Sequence, residues 1–337
     1  MRYYGGKSKL LEFIHQGAVQ AGMRPEDTFF DGFSGTASVG IHFKKNGHQI
    51  YSNDLLHFSY CLASTHIALN KKPAFHQLEN DPIEILNNLK PKVGFFSKNY
   101  SPVGAEGRQY FSSENAKKID SIREQIFKWK TDGLISQSEE LYLITSLLEA
   151  ANLTSNVTGT YAAYLKTWDS RSLNPIKLAH PKIVSNGLKN YSFNSDLVEI
   201  VGSTKVDVLY LDPPYNSRQY ASNYFLLDVI SHGWFEVKPE VNGVTGMRDN
   251  SAYKSKFSSK KFAADALDEV VRAADAKLIL LSYNNEGIIA SSEIMEILSQ
   301  RGAVTENQFI HKRYRAINQD GSNTATVESL FIVEVKK

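Results

Sequence analysis

Cysteine is almost missing from this sequence, with Cys61 the single one in 337 residues. That excludes a disulfide framework and any zinc site built from several thiolates, and it fits a reducing compartment. Long apolar runs are missing too. No stretch approaches the ~18 residues needed to cross a bilayer, and the opening "MRYYGGKSKLLEFI" lacks the apolar centre of a secretory signal. The expectation is a cytoplasmic protein with no membrane partner. Strong charge is absent as well: 38 Lys and Arg against 36 Asp and Glu leave +2, too little to announce a polyanion partner. No cluster of metal ligands is visible along the chain, so no metal is expected. Internal repeats and low-complexity tracts are lacking.

What is present is an ordinary globular composition, 42% hydrophobic and 22% charged, enough for one core with a sizeable insertion or for two joined domains. The small net charge hides an uneven distribution. Residues 90–130 hold nine basic residues (Lys90, Lys92, Lys98, Arg108, Lys117, Lys118, Arg123, Lys128, Lys130) against four acids. Residues 154–191 hold five (Lys166, Arg171, Lys177, Lys182, Lys189) against Asp169, and residues 247–261 hold five against Asp249. Interleaved with Tyr, Phe and Trp, these blocks favour a groove that follows a phosphate backbone.

Short, continuously apolar runs recur: "TFF" (28–30), "HQIYS" (48–52), "YSF" (191–193), "VDVLYL" (206–211) and "KLILLSY" (277–283). Runs without alternation indicate strands covered on both faces, as in a parallel sheet with crossover helices. The fold class is α/β, with a C-terminal strand pair expected from "NQFIHKRY" (307–314) with "ATVESLFIVEV" (325–335), and a helix near 290–301. Between Asp54 and Tyr191 the period changes. Ile119, Ile122, Ile126 and Trp129 fall at helical spacing, and Ser136 with Glu139 forms a capping box ahead of Leu141, Ile144 and Leu147. Residues 61–184 therefore read as a mainly helical insertion into a domain made of 1–60 and 185–337.

Three stretches carry chemistry. In "FFDGFSGTASVG" (29–40) a strand ends in Asp31, and Gly32 and Gly35 make a tight turn into a helix that lets backbone approach a nucleotide-like ligand. Asp54, at the end of the next strand, stands where a carboxylate commonly grips ribose hydroxyls. Alone, this pattern also suits a dinucleotide-dependent oxidoreductase, or a turn needing glycine for backbone reasons. "RYYGGKSKL" (2–10) offers Tyr3 and Lys7 on a glycine-flanked loop whose aromatic wall suits a sulfonium cation. In "VDVLYLDPPYNSRQY" (206–220) a buried strand ends in Asp212-Pro213-Pro214-Tyr215. Two prolines stiffen the turn and remove competing donors, so a carboxylate, a carbonyl and a flat ring form a receptacle for a planar group bearing an amine.

Taken together, Tyr3-Tyr4-Gly5-Gly6-Lys7, Asp31-Gly32-Phe33-Ser34-Gly35, Asp54, Asn194-Ser195-Asp196 and Asp212-Pro213-Pro214-Tyr215 resemble, in order and spacing, the motifs of adenine-specific DNA methyltransferases of the Dam-like and type II restriction-modification kind. Ser282-Tyr283-Asn284 falls within the resemblance. It implies a Rossmann-like class I methyltransferase sheet and S-adenosylmethionine as cofactor. Tyr3 and Lys7 would line the cofactor pocket, and Asp31, Phe33, Ser34 and Gly35 would hold its methionine end. Asp54 would bind the ribose, Ser195 and Asp196 would lie at the adenine, and Asp212 would stand between cofactor and target. Relatives often carry Trp at position 3, Pro at position 32 and Gly at position 37, where this chain has Tyr3, Gly32 and Ala37.

The resemblance implies double-stranded DNA as partner and a cognate restriction endonuclease as companion. The implied site for reading it is the insertion, where "TYAAYLKTWDSR" (160–171) carries Tyr161, Tyr164, Lys166 and Arg171. Arg171 is suited to guanine or to a phosphate, while Tyr161 and Trp168 equally fit a core. Neither the recognition sequence nor the oligomeric state is legible. RNA or the 4-amino group of cytosine as target, and a non-catalytic DNA-binding role, remain alternatives at this level.

Overall fold

The computed structural model describes residues 6–217, 219–311 and 326–336. Tyr3 lies outside the described residues. Among the described residues, seven strands, β1 (Phe29–Asp31), β2 (Ile50–Asn53), β3 (Tyr191–Phe193), β4 (Val208–Leu211), β5 (Leu278–Asn284), β6 (Gly302–His311) and β7 (Thr326–Val335), form one sheet in the order β3-β2-β1-β4-β5-β7-β6. The first five are parallel, and β7 runs antiparallel between β5 and β6. This is the expected mostly parallel sheet with an antiparallel C-terminal pair. Every residue of β4 and β5 is buried, which is why their sequences are continuous apolar runs and not alternations.

The strand pair differs from its expected bounds. β6 begins at Gly302 because pairing continues from Ile310↔Val327 down to Gly302↔Val335, and the long apolar β7 dictates that length. As an edge strand, β6 needs no strong apolar pattern of its own, so "GAVTE" gave little signal.

By compactness the chain divides into two units. One holds Lys7–Leu55, Asn186–Gln219 and Lys254–Lys337 and contains the sheet. Its core joins Phe30, Leu209 and Leu211 to Leu267, Val270, Ile279, Ile294 and Phe331. The other, with Leu56–Ser185 and Tyr220–Tyr253, is helical and is built on Ser113–Thr131 and Gln137–Thr154. The capping box forms as read, with Ser136 Oγ accepting from Glu139 N and the Glu139 carboxylate accepting from Ser136 N. Ile119, Ile122, Ile126 and Leu147 are buried in its core, and so are Tyr224, Phe225, Leu226 and Ile230. The last four explain the difference from the expected division: 220–253 follows the sheet-unit segment in sequence, but the apolar face of Phe225–His232 is buried in the helical unit. Among the described residues no helix is long and apolar enough to cross a membrane.

Candidate active site

β1 and β4 are neighbours, with Asp31 opposite Tyr210. From β1 the chain proceeds outward to β2 and β3 on one side, and from β4 to β5 on the other. The carboxyl ends of β1 and β4 therefore form the switch point of the sheet, where parallel α/β sheets leave a crevice for ligands. Asp31 ends β1, and Asp212 directly follows β4. Gly32 N donates to Tyr210 O (3.0 Å), so the two turns leave the sheet side by side.

The turn after β1 is held from its neighbours. Asp54 Oδ2 accepts from Gly35 N (2.8 Å), and Ser34 N donates to Asn53 O. Asn53, which sequence reasoning passed over, knits three turns together: its Nδ2 donates to Gly32 O (3.3 Å) and Ser195 O (3.2 Å), and its Oδ1 accepts from Ser195 N (3.2 Å). Asn194 Nδ2 donates to the carbonyls of Asp54 and Leu55. Asp196 caps the helix Leu197–Ile200 by accepting from Val198 N (3.2 Å). A Cβ on Gly32 would come 2.8 Å from a Leu197 methyl carbon, so glycine here admits the segment carrying Asp196. Phe33 packs edge-on against Phe257, with centroids 5.0 Å apart.

Gly35 has φ +50° and Ala37 φ +60°. A left-handed alanine costs ~1–2 kcal/mol in backbone strain, which gives a physical reason for the glycine expected at 37. Ala37→Gly should stabilise the chain by about 0.5–1 kcal/mol after the greater unfolded-state freedom of glycine is subtracted. A thermal or urea denaturation comparison checks this, and a destabilised variant would contradict it.

The buried centre of the site is a chain of charges. Lys7, 4% exposed, places Nζ 3.1 Å from Asp212 Oδ1 and also pairs with Glu328. Glu328 lies on β7 opposite Asn284 of β5, whose Nδ2 is 3.4 Å from Glu328 Oε2. Burial works against the Lys7 ammonium, but Asp212 and Glu328 outweigh it and push its pKa up. The Asp212 carboxyl is raised to about 6, chiefly by desolvation, with Lys7 opposing and Glu328 adding to the shift. Asp31 is raised to about 8, again by desolvation first and then by the Asp212 charge. Glu328 was legible only as an acid inside an apolar strand, "VESLFIV", a pattern that marks a buried charge needing a partner.

Tyr215 is half-buried, its ring centroid 5.7 Å from Lys7 Nζ and 6.3 Å from that of Tyr283 at an interplanar angle of 73°. Its carbonyl accepts from Ile288 N (3.0 Å). Tyr283 Oη accepts from Ile289 N, and Tyr210 Oη donates to Ser282 Oγ (2.9 Å). The Ser282-Tyr283-Asn284 segment thus supports the Asp212–Tyr215 turn from the next strand. Lys7, Asp31, Phe33, Ser34, Gly35, Asp54, Ser195, Asp196 and Asp212 to Tyr215 all belong to this sheet unit.

The candidate DNA-contacting residues of the helical unit fare unevenly. Tyr161 is fully buried, its Oη bonded to Ser155 Oγ (3.3 Å). That corrects its assignment: it is a core residue, its ring buried within the hydrophobic core of the helical unit. Tyr164 is half-buried, edge-on to Tyr110 at 4.9 Å. Lys166 is exposed. Arg171 forms a two-pronged pair with Asp169, including Nε to Oδ1 at 3.0 Å.

The basic block at 90–130 also needs revising. Arg108, Lys118 and Arg123 are buried. Arg108 donates to the carbonyls of Asn99, Gly243 and Val244, Lys118 to those of Asn87 and Leu89, and Arg123 to that of Ser231. Lys92, Lys117 and Lys130 are paired with Glu124, Glu114 and Glu140. Three of these cations tie loops to helices from inside, so the sequence excess is not an equal surface excess. Cys61 is fully buried in the same core, where burial pushes its thiol pKa up.

Comparison with known proteins adds to this picture. Residues 3–297 match the family model of D12 class N6 adenine-specific DNA methyltransferases. Modification methylase StsI of Streptococcus sanguinis is 38% identical over 100% of this chain and 52% of its own length. Type II methyltransferase M.FokI of Planomicrobium okeanokoites is 36% identical over 100% and 53%. Type II methyltransferase M.NlaIII of Neisseria lactamica is 33% identical over 99% of each chain. The chain thus spans about half the length of the first two and nearly all of the third.

Proposed function

Because the chain belongs to the D12 class of N6 adenine-specific DNA methyltransferases, we propose that it transfers a methyl group from S-adenosylmethionine to the 6-amino group of adenine in duplex DNA. It serves as the modification enzyme of a restriction-modification system, acting in the cytoplasm beside a cognate endonuclease. The observation that carries this reading is the placement of Asp212-Pro213-Pro214-Tyr215 at the switch point, next to the Asp31–Gly35 turn.

The cofactor fits the residues present. Asp31 Oδ1 and Ser34 Oγ are buried polar atoms without a hydrogen-bond partner, an acceptor and a hydroxyl suited to the zwitterionic methionine end. Asp54 and Asp196 supply carboxylates toward the ribose and the adenine. When bound, S-adenosylmethionine supplies an electrophilic methyl on a sulfonium.

The chain's own residues do the rest. The adenine amine is a poor nucleophile because its lone pair is delocalised into the ring. The Asp212 carboxylate and the Pro213 carbonyl accept its two N–H bonds and hold the nitrogen nearer to tetrahedral geometry. These contacts strengthen as positive charge develops on nitrogen, so they stabilise the transition state more than the ground state. A carboxyl titrating near 6 is also a better acceptor than an ordinary one for the proton that nitrogen must lose. The target base is flipped out of the duplex, and Tyr215 stacks on it for ~1–3 kcal/mol. Lys166 and Arg171 contact DNA from the helical unit, Arg171 after exchanging Asp169 for a phosphate or base.

Incubation with labelled S-adenosylmethionine and mixed-sequence duplex DNA, followed by digestion to nucleosides, tests the proposal. Label in N6-methyldeoxyadenosine is expected. Label in methylcytosine, label only with RNA, or no transfer would overturn it.

A second expectation concerns protons. Asp31 holds its proton to about pH 8 in the free chain, and the cofactor's ammonium group nearby would favour the carboxylate. Binding at pH 7 should therefore release a proton, and calorimetry in buffers of different ionisation enthalpy measures it. Asp31→Asn should remove most of the release, and unchanged release would exclude Asp31 as its source.

A further inference from the structure

Away from the switch point, the sheet unit brings together three side chains, of which His42 stands 27 or more residues from the other two in sequence. Glu12 and His15 lie on the helix Leu11–Gln20, and His42 on the helix Ser38–Lys45. His15 Nδ1 is 3.1 Å from His42 Nε2, and His42 Nε2 is 3.5 Å from Glu12 Oε2. One ligand atom from each of the three lies within 4.8 Å of the others. We propose that Glu12, His15 and His42 form a binding site for a divalent zinc-like cation, clamping the two helices together.

The distances fit the chemistry. With Zn–N bonds of ~2.0–2.1 Å, two ligands of a tetrahedral zinc stand roughly 3.3 Å apart. The two measured separations bracket that edge. The donor set of two imidazoles and one carboxylate is typical of zinc and other late first-row cations and foreign to calcium or magnesium. Solvent completes the fourth position, since Glu12 is 73% exposed while His42 is only 18% exposed.

The scaffold holds the ligands in place. Ile14, Gly17 and Ala18 bury the opposite face of the first helix, and a Cβ on Gly17 would come 2.6 Å from a Leu330 side-chain carbon of β7. This helix is seated closely against the sheet, which fixes the backbone from which Glu12 and His15 project. On the second helix, Val39, Gly40 and Phe43 are buried. The neighbouring His48 lies outside the cluster, with its Nδ1 bonded to Asp27 O (3.0 Å).

The position gives the site a consequence. The first helix follows directly on the segment carrying Lys7, and the second on the turn carrying Gly35 and Ala37. A cation joining them would tie the Asp212 clamp and the cofactor turn to one rigid support. The alternative reading of the same distances is a plain hydrogen bond between two imidazoles, one donating and one accepting.

The experiment uses the full chain without a polyhistidine tag. Zinc is titrated by calorimetry, and cobalt(II) is added to record the visible bands of a tetrahedral site. One cation per chain, a tetrahedral cobalt spectrum and a rise in melting temperature with zinc are expected. His15→Gln and His42→Gln should each weaken zinc binding by about tenfold or more, the least that residues merely supporting a metal ligand cost. Glu12→Gln should weaken it without altering the fold by circular dichroism, and the exposed His76→Ala should change nothing. Hydrogen exchange within 11–20 and 38–45 should slow with zinc in the parent chain. Absence of binding, an octahedral cobalt spectrum, or binding equal in His42→Gln and the parent would overturn the site and leave only a histidine pair.

Discussion

Asp212→Ala should lower the rate of methyl transfer by about three orders of magnitude, on the scale of losing a group that acts only as charge develops. The fold should survive the change. Lys7 keeps Glu328 as its buried partner, so removing Asp212 strands no cation. The variant should in fact be the more stable one near neutral pH. The Asp212 pKa rises from 3.8 to about 6 on folding, so the folded chain binds that proton more tightly than the unfolded chain. The stability contributed by this carboxyl is complete below the unfolded value and is lost as pH rises toward 6. Ionised Asp212 at pH 7.5 is thus a net cost to stability, one that its proposed role at the reacting amine accounts for. Single-turnover transfer rates, cofactor affinity and urea midpoints of parent and variant check each part. An active variant, or an inactive one that is also unfolded, would contradict this account.

Lys7→Met should have the second largest effect, and in the opposite sense for stability. It leaves the Asp212 and Glu328 carboxyls buried near one another with no cation. Breaking a buried pair by removing one partner costs about 3–5 kcal/mol. The remaining carboxylates repel, so the Asp212 carboxyl should move upward from about 6 by about 1–3 units, the range over which a neighbouring cation acts. The acid limb of the rate profile should follow it. Transfer by Lys7→Met should therefore recover partly at high pH, and Lys7→Arg should sit nearer the parent. A pH–rate profile with an unmoved acid limb would show that Lys7 does not act through Asp212.

The two variants separate two roles at one place. Asp212 touches the reacting amine in the proposed chemistry, whereas Lys7 is a positioning residue that sets the protonation of Asp212. The resemblance implied a Lys7 that lines the cofactor pocket, and the tertiary structure shows its ammonium 3.1 Å from the Asp212 carboxylate.

Some of this was determined along the chain alone. Strands buried on both faces must be continuously apolar, so "VDVLYL" and "KLILLSY" identified β4 and β5. Turns that follow such strands must use glycine, proline or a short polar residue, so Asp31-Gly32 and Asp212-Pro213 marked their ends. The helix at Gln137–Thr154 was legible because capping is a contact over three residues. These are local relations, and a sequence records local relations directly.

Only the tertiary structure decided the rest, because it depended on which segments meet. Glu328 joins Lys7 across 321 residues only through the antiparallel pairing of β7 with β5. Asn53 acts through three backbone groups whose nearness follows from strand order. Tyr161 is core, and Arg108, Lys118 and Arg123 are internal ties, because burial is set by neighbours and not by residue type. Segment 220–253 joins the helical unit because an apolar helix face goes where the most apolar surface is buried. The same holds for the clustering of Glu12, His15 and His42, which the sequence does not show because His42 comes from another helix.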